Sequence, residues 1–154
     1  MAIHYTTYAK VILLCDTKSI QYLTDDAEAG SYASTVVNEC IVWAGNKIDG
    51  YCAAKYSVPF AAVTDTPDTP EMIQDLATEL TIFRIQARRG FRVPPMMWEN
   101  YQLNIRTLEQ LAKGVITIPD ATISRGTAEN QILGAAVTSS DDLDFGGFTG
   151  YGGG

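Results

Sequence analysis

The chain has 154 residues, 46% of them apolar, enough for one domain with a modest core. Eighteen acidic against eleven basic side chains give a formal charge of −7, which argues against a surface that binds nucleic acid or anionic membrane as a whole. No apolar run approaches the ~20 residues that span a bilayer, and the start MAIHYTTYAK lacks the basic beginning and apolar middle of a signal peptide, so synthesis in a cytosol is expected.

Thr6 or Thr7 can cap a first short helix whose apolar positions are Val11, Ile12, Leu14 and Cys15. Asp16 or Thr17 caps a second, with Ile20, Leu23 and Tyr22 as its inward candidates, and the polar run 24–30 ends it. Asp25, Asp26 and Glu28 in that run lack the alternating ligands, central glycine and distal glutamate of a calcium loop, so a solvated loop is expected.

The stretch 31–59 is the one around which the chain is organised. Val37, Ile41, Ala44, Ile48 and Tyr51 recur at spacings of four and three, the stripe of a core-facing helix. Val36, Cys40 and Trp43 widen that stripe, so the helix can pack on more than one neighbour. Ser31 offers a capping hydroxyl and Pro59 pushes Val58 out of the helical region, which predicts a helix over about 32–56, roughly 38 Å long. Gly45 and Gly50 inside it imply either close approach of another helix or a bend.

Residues 60–69 carry turn formers and read as an exposed loop. Thr69-Pro70-Glu71 then supplies a capping hydroxyl, a proline for the first helical position and an acid at the positive end of the dipole. The helix that follows buries Ile73, Leu76, Leu80, Phe83 and Ala87, and closes at Arg88, Arg89 and Gly90. Pro94-Pro95 opens a last helix with Trp98, Tyr101, Ile105, Leu108 and Ala112 on one face and Leu111 beside them; Gly114 stops it. The run 115–118 is strand-like.

Arg84, Arg88, Arg89 and Arg92 form a basic cluster in an otherwise acidic chain. Two uses fit it: contact with phosphates, or helix-end electrostatics with salt bridges to an acidic neighbouring subunit. Catalytic chemistry finds less support. Cys15, Cys40 and Cys52 form no Cys-x-x-Cys pair and read as small buried hydrophobes, and His4 has no second soft ligand beside it. No glycine-rich phosphate loop or nucleophile with a base can be assembled, so neither an enzyme nor a cofactor is expected.

Residues 120–154 hold eight of the thirteen glycines and five acids against Arg125 alone, which is −4 of the net −7. This composition does not make a core. The expected organisation is therefore a helical domain over 1–119 and an extended, acidic, glycine-rich arm over 120–154. Ile132, Leu133, Ala136 and Val137 could form a strand in the arm, and Phe145, Phe148 and Tyr151 stand three apart among glycines near its end.

Ile48-Asp49-Gly50-Tyr51, followed by Lys55-Tyr56-Ser57-Val58-Pro59, resembles the signature of the Mu-like prophage head-to-tail adaptor family of tailed bacteriophages. Blocks at 70–77, at Arg88-Arg89, at 101–108 and at 111–114 follow in order, so the resemblance covers 7–118. Lys55 stands where the family usually has arginine, and members often end soon after the last helix.

The resemblance implies an all-α fold of about five helices around a long central one. It also implies a virion protein at the head-to-tail interface, made in the host bacterial cytoplasm and assembled as a ring commonly of about twelve subunits. Such a ring lies between the portal protein and a tail-side neck, terminator or stopper protein. DNA passes through its channel without specific binding during ejection. Leftover apolar surface such as Trp43, Phe60 or Trp98 would then be covered by neighbouring copies.

Overall fold

A computed structural model describes residues 5–60, 69–88, 90, 92–119 and 121. Five helices follow one another: α1 (Tyr8–Leu14), α2 (Thr17–Thr24), α3 (Ser34–Cys52), α4 (Glu71–Ala87) and α5 (Pro95–Lys113). The all-α reading holds, and no strand occurs among the described residues. Residues 115–118, expected to be strand-like, leave α5 through a bend instead. Among the described residues no strand lies beside them, and the Ile118 N–H bonds the Tyr56 hydroxyl. The strand expected around Ile132 lies outside the described residues.

Helices α1 and α2 are too short to stand alone. Thr7 caps α1 by accepting from the Lys10 N–H at 3.4 Å, and Asp16 caps α2 by accepting from the Ser19 N–H at 3.2 Å. What holds them is the insertion of Val11 and Ile20 into a cluster with Val37, Cys40, Ile41 and Ile85. A fully buried side chain of this size contributes about 1.5–3 kcal/mol. Leu14 and Tyr22 do not turn inward as expected. Leu14 is the last residue of α1, where an extended Cys15 leads the chain away, and it is exposed together with Leu13 and Tyr22.

Helix α3 is the long central helix, but at 19 residues it spans about 28 Å, less than its sequence suggested. Its start lies beyond Ser31: Ala33 holds the N-cap position and makes no side-chain cap bond. At the other end, residues 53–55 form a turn. The Tyr56 ring beyond that turn is buried in the core. Gly45 is buried; Gly50 is exposed, and no described residue lies within 4 Å of where its Cβ would be.

The contact of α3 with α4 is the most extensive in the bundle, and α4 also touches α1, α2 and α5. Between them lies the main core, in which Ile48, Ile73, Leu80, Leu108 and Leu111 are fully buried. The start of α4 differs from its sequence reading by one position. Pro70 is the N-cap, and the Gln74 amide reaches back to the Thr69 carbonyl at 2.8 Å. The Thr69 hydroxyl, expected to cap the helix, is buried and has no partner among the described residues. Helix α5 begins with Pro95 at its first turn and ends at Gly114, whose φ of 74° lets its N–H reach the Gln110 and Leu111 carbonyls.

Candidate functional site

The residues of the 48–59 motif meet at one end of the bundle, where they tie three parts of the chain together. The Tyr5 hydroxyl donates to Asp49 Oδ1 at 2.5 Å and accepts from the Phe60 N–H at 2.8 Å. The Tyr5 ring meets Phe60 edge-on at 5.8 Å. Seven residues after Asp49, the buried Tyr56 hydroxyl accepts from the Ile118 N–H at 3.1 Å. Lys55 lies across the end of α5, with its Cδ and Cε 3.3 Å from where a Cβ on Gly114 would stand. The motif thus fixes the N-terminal segment, the turn after α3 and the point where the chain leaves α5. Ile48 fills the core beneath, Tyr51 is half-buried, and Gly50 and Pro59 are exposed.

Burial raises the Asp49 carboxyl above its ordinary value, and the hydrogen bond from Tyr5 opposes that shift. Burial and the neighbouring Asp49 carboxylate raise Tyr5, so its hydroxyl stays a donor at any physiological pH. These groups form a structural clasp. No cluster of metal-ligating side chains occurs among the described residues.

The basic cluster is divided among different tasks. Arg88 forms an ion pair with Asp26 just past α2 and donates to the Leu23 carbonyl at 3.2 Å. The salt bridge expected to a neighbouring subunit is therefore made within the chain for this residue. Arg84 instead lies over the Trp43 ring at 5.0 Å, and Lys47 lies over the same ring at 5.2 Å and over Tyr101 at 5.7 Å. Arg92 is exposed beyond α4, and Arg89 lies outside the described residues. Val36, Glu39, Cys40, Trp43, Arg84 and Arg88 line a cleft of about 310 Å³ between α3 and α4. The pairing of Trp43 with Arg84 has no signal in the sequence, because it depends on the register of α3 against α4.

A second feature is exposed apolar surface. Leu13 is 81% exposed, Met96 72% and Leu103 60%. Leu14, Ile82, Phe83, Met97 and Tyr101 contribute to a groove of about 150 Å³ where α1, α4 and α5 meet. Trp98 is half-exposed and packs on Phe83 and Tyr101, which stack at 4.1 Å. Of the three side chains expected as leftover surface, Phe60 is a correction: its ring is buried between Tyr5 and Tyr56. Trp43 is half-buried beneath its two cations. Phe145, Phe148 and Tyr151 lie outside the described residues.

Within the described residues no helix is long and apolar enough to cross a membrane. No curated protein matches the chain. A family model does, the one described as Bacteriophage Mu, Gp36, over residues 5–134. The match runs past Ile118, where the resemblance read from the sequence ended, and into the glycine-rich segment. Since it covers well over half of the 154 residues, the chain belongs to this family of phage head-to-tail adaptors.

Proposed function

We propose that the protein assembles as a ring of about twelve copies between the portal and the next neck or tail component, extending the DNA channel. The observation that carries this reading is the exposed apolar set on α1 and α5, Leu13, Leu14, Met96 and Leu103. Exposed side chains of this size cost free energy that burial against another protein recovers. The helical domain carries −3 of the net −7, a sign that suits a channel wall along which phosphates slide without being held. Residues 120–154 act as an anchoring arm, with Phe145, Phe148 and Tyr151 entering pockets on the portal or a neighbouring copy while the glycines let the backbone lie close.

Native mass spectrometry of the full chain, alone and mixed with its portal, tests the ring. A multiple of the subunit mass is expected, and a monomer in both samples would reject the reading. Use of the arginines on DNA is the weaker alternative, since Arg88 is already paired with Asp26 and Leu23. A gel shift that falls steeply with salt would favour it. For the arm, deleting 141–154 should leave the bundle helical and weaken portal capture.

A further inference from the structure

Helix α4 carries opposite charges on opposite sides. Asp75 and Arg84 are nine residues apart, and at about 100° per residue they stand about 180° apart around the helix. Glu79 and Arg88 repeat the relationship one turn later. All four are exposed.

On the acidic side, Glu71, Asp75 and Glu79 rim a groove of about 400 Å³ floored by Met72 and Leu76, with Asn104 beside them. The Asn104 amide donates to Glu79 at 2.6 Å. On the basic side, Arg84 and Arg88 rim the cleft floored by Val36, Cys40 and Trp43, and Glu39 stands on its edge. Each is an apolar floor with a charged rim, and the rims differ in sign. Arg88 is engaged by Asp26, whereas Arg84 is held over the Trp43 face, with no carboxylate within 4.0 Å among the described residues.

We propose that the Trp43–Arg84 cleft of one copy receives the Asp75 side of α4 from a second copy of this chain. The proposal rests on the ring reading above and adds which surfaces meet. Complementary patches on opposite sides of one helix cannot both be satisfied in a two-fold dimer. They pair head to tail, and such contacts run on from copy to copy until a rotation closes them. Charge complementarity selects the partner surface, and the aromatic floor supplies area that water would otherwise cover.

The test uses full-length Arg84→Glu and Asp75→Arg chains. Both positions are on the surface of α4, and circular dichroism checks that the helices persist. Each single variant should raise the concentration needed for assembly at least about tenfold. An equimolar mixture of the two, and the chain carrying both changes, should assemble again, because the reversed charges face each other. Assembly of both single variants at the wild-type concentration, or absence of rescue, would overturn the proposal. So would loss of assembly in Arg84→Glu and in a chain with Asp141, Asp142 and Asp144 changed to Asn, but not in Asp75→Arg, since the arm would then fill the cleft. A wild-type chain that is monomeric with and without portal would remove the ring reading itself. Wild-type rings indifferent to both charge changes would remove only this contact.

Discussion

Tyr5 and Asp49 are joined by a 2.5 Å hydrogen bond across 44 positions of sequence, from the segment before α1 to the end of α3. The same hydroxyl satisfies the Phe60 N–H at 2.8 Å. One oxygen therefore closes the motif end of the bundle, and its removal leaves a buried backbone donor with no protein acceptor.

Tyr5→Phe should accordingly cost about 2 kcal/mol, within the range for leaving a buried donor unsatisfied. In a domain of about 100 residues that lowers the midpoint of thermal unfolding by about 10 °C. Calorimetry or a circular dichroism melt of the variant checks it. An unchanged midpoint would mean that the clasp contributes nothing to stability.

Asp49 gives the clasp a pH dependence with a definite sign. Burial raises its carboxyl above the ordinary 3.8, with the Tyr5 bond as a smaller opposing influence. The folded state therefore holds this proton more tightly than the unfolded one. The contribution of Asp49 to stability is greatest below 3.8 and is lost as pH rises through the folded value. Asp49→Asn removes the titration, so its stability relative to wild type should increase as pH is raised from about 4 to neutral. Chemical denaturation of both proteins over that interval measures it, and two parallel curves would contradict the assignment.

The helices were legible because their apolar spacing survives whatever they pack against. Val37, Ile41, Ala44 and Ile48 had to share a face, and Gly114 had to end α5. The clasp was not legible from periodicity, since nothing in the spacing of Asp49 points to Tyr5 or in that of Tyr56 to Ile118. The resemblance singles out Asp49 and Tyr56 without saying what they do, and it does not reach Tyr5. The end of α3 carries no local mark either: residues 53–55 contain no helix breaker, yet they form a turn. Arg88 is a similar case, because its partner Asp26 lies 62 residues away and on a different helix end.

Thiol chemistry offers an independent check on packing. Burial pushes the Cys52 thiol up to about 11, and it raises Cys40 and Cys15 as well. The nearby Arg84 and Arg88 charges pull Cys40 the other way without overcoming its burial. Cys40 and Cys52 are buried and Cys15 is only half-buried. A thiol reagent at neutral pH should therefore label Cys15 first, and Cys40 and Cys52 only when the chain is unfolded. Peptide mapping of the labelled native protein decides it. Rapid labelling of Cys52 in the folded state would contradict the packing of α3 on the core.

Two glycines in the family-like blocks should respond in opposite directions to the same substitution. Gly114 has a φ of 74° and Lys55 lies across it, so Gly114→Ala meets a left-handed backbone cost of about 1–2 kcal/mol and displaces the lysine. Gly50 is on an exposed side of α3 with open space where a Cβ would go. There, Gly50→Ala should stabilise the subunit by about 0.5–1 kcal/mol, because alanine loses less backbone freedom in a helix. Urea titrations of both variants under conditions that keep the chain monomeric read the two signs directly. If Gly50→Ala stabilises the subunit yet prevents assembly, the reason for glycine at this position lies in the close approach of a neighbouring copy and not in the fold of one chain.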